Sequence, residues 1–183
     1  MSDTKDFDLQ HEDFENKISQ LVKAIKDTLI ARGEMMATAE SLTGGLVASS
    51  IVNEAGSSAI LAGGIVAYQN EIKESLLGVP HQVLEEKGAV SAETVKAMAE
   101  DARKKFGCEW AIATSGIAGP TGAEPGKPVG TVWMAVANSL QNEVFCKIFE
   151  GNRTEVREKS VYSVLGKLLF LLNNQKSTCT SEH

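Results

Sequence analysis

A chain of 183 residues, 43% hydrophobic and 23% charged, has the length of one domain and enough apolar material for a core. Its net charge of −6 offers no basic footprint for nucleic acid, so no nucleic-acid partner is expected. No apolar run approaches the roughly 20 residues that cross a bilayer, and the polar start from Met1 to Asp13 lacks the basic and apolar regions of a signal peptide. No membrane partner is expected, and the cytoplasm is the expected address. Cys108, Cys146 and Cys179 form no Cys-x-x-Cys pair, and His11, His81 and His183 are scattered. Neither a disulfide framework nor a metal site is signalled, and the expectation is chemistry without a cofactor.

In chain order, residues 1–11 read as a flexible tail, 12–174 as one domain and 175–183 as a second tail. From Glu12 to Arg32, Phe14, Ile18, Leu21, Val22, Ile25 and Leu29 recur at three- and four-residue steps, which predicts a helix stopped by Gly33. Met35 to Ala39 predicts a buried strand, and Gly44 to Asn53 a second helix. Gly63 to Tyr68 predicts another strand. Asn70 is placed to cap a short helix through Leu77, broken by Gly78 and Pro80. Ser91 caps a helix to about Phe106 that buries Val95, Met98, Ala99 and Ala102. Trp110 to Thr114 is a third strand. Gly116 to Gly130, with five glycines and three prolines, is loop. Thr131 to Ala137 and Glu143 to Phe149 form a hairpin, followed by a helix from Arg153 to Leu172. Helices and strands alternate and a hairpin follows, which predicts an α/β chain: a three-layer α/β/α sandwich with a mixed, mainly parallel sheet.

Ligands of open α/β sheets bind beyond the carboxyl ends of strands, and three such ends carry unusual residues. At the first, Glu40-Ser41-Leu42-Thr43-Gly44-Gly45, a serine stands at a sharp strand-to-helix turn. There the N–H groups of Thr43, Gly44 and Gly45 could approach a ligand, as at a nucleophile elbow. The same pattern also suits a capping hydroxyl before a glycine turn. At the second, Tyr68 stands at the strand tip and Lys73 in the first helical turn. The helix dipole there disfavours a cation, the direction a general base needs. An ordinary lysine titrates near pH ~10.4, so work near neutrality needs the amine to titrate about 2–3 pH units lower. A solvated lysine is the alternative. At the third, Ser115-Gly116 opens a glycine-rich loop of the kind that exposes N–H groups to anions. Arg153 and Arg157 open the last helix, either paired locally with Glu155 and Glu158 or clamping a phosphate or carboxylate.

Seven segments in order, Thr-Ala-Glu-Ser-Leu-Thr-Gly-Gly (38–45), Gly-Ser-Ser-Ala (56–59), Tyr-Gln-Asn-Glu-Ile-Lys (68–73), Gly-Ala-Val-Ser (88–91), Ser-Gly-Ile-Ala-Gly-Pro (115–120), Lys-Pro-Val-Gly-Thr-Val (127–132) and Gly-Asn-Arg (151–153), strongly resemble the CinA C-terminal family over roughly residues 14–172. The chain resembles that family's stand-alone form. The resemblance implies an amidohydrolase of pyridine nucleotide salvage that converts nicotinamide mononucleotide to nicotinate mononucleotide and ammonia. It implies a Ser–Lys centre on Ser41 and Lys73, aided by Tyr68 and Ser58, with Ser115 and Arg153 at the substrate; Ser58 is the reserve nucleophile. Leu42 stands where the family commonly has cysteine, and Asn152 where it frequently has aspartate. A small-molecule nucleotide is thus the expected substrate and a symmetric homodimer the expected assembly. The competing expectation is a catalytically silent nucleotide-binding or regulatory module on the same scaffold.

Overall fold

The computed structural model describes the backbone of residues 3–174 and the side chains of residues 14–174. The expected tail at 175–183 lies outside the described residues. The elements run α1 (Asp3–Arg32), β1 (Met36–Glu40), α2 (Leu46–Val52), a 3-10 turn (Ser57–Ala59), β2 (Leu61–Val66), α3 (Asn70–Leu77), α4 (His81–Glu86), α5 (Ala92–Phe106), β3 (Trp110–Gly116), β4 (Thr131–Ala137), β5 (Asn142–Ile148) and α6 (Arg153–Asn174).

Three local expectations need correction. Helix α1 begins at Asp3, so the segment expected as a tail is helical backbone from its third residue. Asn70 is the first helical residue of α3 rather than its cap; Gln69 holds the cap position without a side-chain bond. Helix α4 was not anticipated, because six residues between Pro80 and Lys87 are too few to display a period. Ser91 does cap α5, its side chain accepting the Thr94 N–H.

Among the described residues five strands lie in the order β2-β1-β3-β4-β5. β1 pairs in parallel with β2 and with β3, while β4 is antiparallel to both β3 and β5. Four strands therefore run one way and β4 alone opposes them. Helices α1, α2 and α6 cover one face, where Val22, Ile25, Leu29, Leu165 and Leu168 pack with Ile112, Met134 and Val136. α5, flanked by α3 and α4, covers the other, where Val95, Met98 and Ala102 meet Ala111, Ala113, Ala135 and Ala137. The period-two alternation of β3 and β4 thus sends Ile112, Met134 and Val136 one way and the alanines the other, with Trp133 at the margin of the alanine side. Burying each large apolar side chain contributes roughly 1.5–3 kcal/mol. The alanines of this face are wholly buried, and overpacking a buried face costs about 1–3 kcal/mol.

From β1 the chain crosses through α2 on one face to β2. It returns through α3, α4 and α5 on the opposite face to β3, on β1's other side. Connections leaving β1 and β3 therefore diverge, and a crevice opens beyond their carboxyl ends.

Candidate active site

Ser41 follows the last residue of β1, its N–H donating to the Thr114 carbonyl of β3 at 2.9 Å. It is buried, and among the described residues none hydrogen-bonds its hydroxyl. Two groups hold the turn that follows. The wholly buried Glu40 carboxyl accepts the N–H groups of Gly45 (2.9 Å) and Val47 (3.0 Å) at one oxygen and of Ala48 (2.9 Å) at the other. Arg157 reaches across from α6, donating from Nε to the Leu42 carbonyl (3.1 Å) and from Nη2 to the Thr43 carbonyl (2.7 Å). Gly45 adopts φ 95°, a left-handed conformation that lets the chain fold back over Glu40.

These contacts overturn part of the expected ligand site. The free N–H groups at the start of α2 are already paired with Glu40, an anion carried by the chain itself. Gly44 N–H donates to the Ser41 carbonyl at 3.1 Å. Thr43 is buried, its hydroxyl bonded to that of Thr114 at 2.7 Å. Thr43, Gly44 and Gly45 are thus turn-forming residues; the donors of Gly44 and Gly45 are not open to a substrate. The N–H groups of Leu42 and Thr43 have no acceptor among the described residues.

Lys73 is one of the largest wholly buried side chains of the protein. Its Nζ donates to the Tyr68 carbonyl at 3.0 Å. Burial pushes the amine below the ordinary lysine range, and the Glu71 carboxylate opposes that fall. The alternative of a solvated lysine is excluded by its 1% exposure. Tyr68 is exposed and its hydroxyl accepts from Arg153 Nη2 at 3.0 Å, while Arg153 Nη1 donates to the Gly119 carbonyl at 3.0 Å. Ser115 donates to the Ala89 carbonyl at 2.7 Å. A Cβ on Gly116 would stand 2.6 Å from the Thr131 carbonyl oxygen, so glycine is required for β3 to meet the start of β4.

Ser41, Tyr68, Lys73, Ser115, Gly116 and Arg153 line one cleft of about 200 Å³ at the carboxyl ends of β1, β2 and β3. Ser58 does not join them. It is exposed, in the 3-10 turn that precedes β2, and so lies at the amino end of the parallel strands. Within one chain it cannot serve as the reserve hydroxyl for Lys73. A larger cavity, about 340 Å³, lies between α1, α2 and α6. Its lining, with Phe14, Ile18, Val22 and Glu158, includes no residue of the Ser41 cleft. Size favours it and chemistry does not, since the buried amine lines the smaller space and not the larger.

Residues 18–172 match the CinA C-terminal domain. The chain belongs to that family. A CinA-like protein of Geotalea daltonii is 48% identical over 78% of this chain, and one of Anaeromyxobacter dehalogenans 46% over 79%. The chain spans about a third of the length of these relatives, 36% and 35%. Among solved structures, the competence damage-inducible protein A (ComA) from Klebsiella pneumoniae superposes with a TM-score of 0.84 at 35% identity, covering 87% of this chain and 99% of that one. The competence/damage inducible protein CihA from Agrobacterium tumefaciens gives 0.80 at 37%, covering 86% and 96%.

In this CinA-family chain the two departures noted in the sequence are accommodated. Leu42 is buried in the core under α2 and α6. Asn152 caps α6: its Oδ1 accepts the N–H groups of Thr154 (2.9 Å) and Glu155 (3.1 Å), and Glu155 accepts the Asn152 N–H (2.7 Å). Glu155 is thus spent on the cap, which leaves Arg153 free to face the cleft. Two structural roles escaped the sequence. Glu40 enters the sequence reading only as the residue before Ser41, although its place just before a glycine turn and helix start is a signal for an internal anion. Arg157 is expected from the sequence either to pair locally with Glu155 or Glu158 or to clamp an anion with Arg153; it instead clamps the Leu42 and Thr43 carbonyls. Among the described residues no group of His, Cys, Asp and Glu is arranged to hold a metal ion, and no helix is long and apolar enough to cross a membrane.

Proposed function

We propose that this chain is an amidohydrolase that converts nicotinamide mononucleotide and water to nicotinate mononucleotide and ammonia. The reading rests on one observation above the others: a fully buried lysine amine shares a cleft with a serine hydroxyl that has no partner among the described residues. Burial lowers the pKa of this amine, so its unprotonated fraction at any given pH exceeds that of an exposed lysine. In that form Lys73 takes the Ser41 proton as the serine oxygen bonds to the carboxamide carbon. The carbonyl oxygen becomes an oxyanion, for which the Leu42 and Thr43 N–H groups are the candidate donors. The C–N bond then breaks, and the departing nitrogen receives its proton from Lys73. Water attacks the resulting acyl ester with Lys73 again as base, releasing the carboxylate and restoring Ser41. General-base catalysis contributes about 10²–10⁴-fold and an oxyanion donor about 10²–10³-fold. Arg153 commits two N–H groups to Gly119 and Tyr68 and keeps others for a substrate phosphate.

Ammonia release from nicotinamide mononucleotide by the wild type, Ser41→Ala and Lys73→Ala tests the assignment. Each variant is expected to lose at least a hundredfold, and near-wild-type turnover in either refutes it. One observation favours a silent nucleotide-binding module instead: Lys73 Nζ is hydrogen-bonded to a backbone carbonyl rather than to Ser41. A neutral amine, however, donates that bond and still keeps its lone pair for a proton. Calorimetric binding of the nucleotide with no ammonia formed would establish the silent reading.

A further inference from the structure

β3 lies at the centre of the sheet, with Thr114 paired to Glu40 of β1 and to Met134 of β4. Thr114 is wholly buried. By the alternation of a strand its side chain shares the face of Ile112, toward α6, while Ser115 turns to the cleft. Two bonds run from Thr114 to the segment that follows β1. Its carbonyl accepts the Ser41 N–H at 2.9 Å, and its hydroxyl pairs with the Thr43 hydroxyl at 2.7 Å. Thr114 is therefore bonded at both ends of the stretch from Ser41 to Thr43. That stretch carries the serine and the Leu42 and Thr43 N–H groups, which have no acceptor among the described residues. The other contacts of the turn fix different things. Glu40 takes donors only from Gly45 onward. Arg157 holds the Leu42 and Thr43 carbonyls, and so the rotation of two peptide planes, from the end of a long side chain. The Thr43–Thr114 pair joins two short side chains that are both stiff at χ1. It fixes where Thr43 stands over the sheet.

We propose that Thr114 is a positioning residue: its hydroxyl holds Thr43 where the Thr43 N–H meets the oxyanion that forms as Ser41 attacks the carboxamide. The assignment rests on the proposed amidohydrolase reading. An oxyanion donor works when it lies about 2.7–3.1 Å from where the charge develops, and a displacement of about 1 Å costs about a hundredfold. Thr114 touches no substrate in this role; it acts through Thr43. A purely structural role is the competing account, in which two buried hydroxyls satisfy one another and nothing more. The two accounts part when both hydroxyls are removed. Removing one leaves the other buried without its partner, which destabilises the fold. Replacing both by apolar groups of the same shape is nearly neutral. The tie to Thr43 is absent in either case. On the structural account activity follows stability, and on the positioning account it does not.

The test measures kcat and KM for ammonia release from nicotinamide mononucleotide beside urea midpoints of the full chain. Thr114→Val should lower kcat about tenfold to a hundredfold with little change in KM, and should lower the midpoint. The double variant Thr43→Val/Thr114→Val should regain the midpoint and keep the low kcat. Thr114→Ser, which keeps a hydroxyl, should recover most of kcat. The pH profile of kcat should hold its shape throughout, since Lys73 is not touched by these changes. The double variant decides the matter should Thr114→Val fail to fold. A kcat that returns with stability in the double variant, a serine variant as slow as the valine one, or a shifted pH profile overturns the assignment. Absence of ammonia from the wild type would instead refute the proposed function, and the oxyanion part of this assignment with it. The anchor is then read without chemistry: the Gly44 N–H, which closes the turn on the Ser41 carbonyl, should exchange faster in the double variant than in the wild type. Equal exchange overturns the anchor too.

Discussion

Replacing Glu40 by alanine removes a buried anion that three backbone donors share. Each hydrogen bond to a carboxylate contributes about 1.5–3 kcal/mol net, so three lost without relief would cost roughly 4.5–9 kcal/mol. Gly44 beside them is exposed, however, and Gly45 and Ala48 are only partly buried, so water can reach some of the donors. Val47, fully buried, keeps the whole penalty. The expected loss is about 3–5 kcal/mol, a large part of the roughly 5–15 kcal/mol that stabilises a domain. With a urea slope near ~2 kcal/mol/M, the midpoint should fall by about 1.5–2.5 M at unchanged slope. Glu40→Gln keeps one acceptor oxygen and should lose about half as much. Formate can occupy the vacated position, so it should raise the midpoint of Glu40→Ala and leave the wild type unmoved. A variant within about 0.5 M of the wild type would show that the start of α2 is open in solution, and the argument against Gly44 and Gly45 as ligand donors would fail.

Lys73→Met should be more stable than the wild type at neutral pH, because the buried amine no longer has to shed its charge. The sign follows from the lowered pKa: between the folded value and the ordinary ~10.4 the unfolded chain binds more protons, so wild-type stability rises with pH across that window. Urea midpoints over about pH 6–10 should show this slope in the wild type and lose it in the variant. Arg157→Ala leaves the Leu42 carbonyl without its donor and the Thr43 carbonyl with the Leu46 N–H alone, costs about 1–3 kcal/mol and should lower kcat for ammonia release with little change in KM. Arg157→Lys should not restore it, since one ammonium cannot reproduce two donors in a fixed fork. Arg153→Ala should raise KM for nicotinamide mononucleotide about tenfold, or roughly 1.4 kcal/mol, and affect the dephosphorylated riboside less; equal effects on both would separate Arg153 from the phosphate.

The layers of the fold were legible because its signals are local and periodic. The three-and-four spacing of α1 and α6, the alternation of β3 and β4, and the glycine-rich segment between them each report on one element. The start of α1 was not, because Asp3 to Asp13 is polar and carries no apolar stripe to mark it. Lys73, Tyr68, Ser115 and Arg153 could be tied to Ser41 only through the order of the motifs. Their meeting depends on strand order, which no local pattern encodes. Ser58 shows the limit of that method: it belongs to a motif in the right order and still lies across the sheet from Lys73. Glu40 and Arg157 were hidden for another reason. Their partners are backbone groups, and a backbone acceptor or donor leaves no residue type to recognise.

The same two residues decide where an oxyanion could be held. With Glu40 occupying the first N–H groups of α2, the helix start contributes no free donor to the cleft. A trans peptide points its N–H opposite its C=O, and Arg157 holds the Leu42 carbonyl toward α6. The Thr43 N–H of that same peptide therefore faces away from α6 and has no acceptor among the described residues. Glu40 and Arg157 thus divide the turn after Ser41 into donors that stabilise the fold and donors left over for a reacting group. On the proposed chemistry, changes at Arg157 should be felt in the rate of the chemical step, while changes at Glu40 should be felt first in whether the turn exists at all.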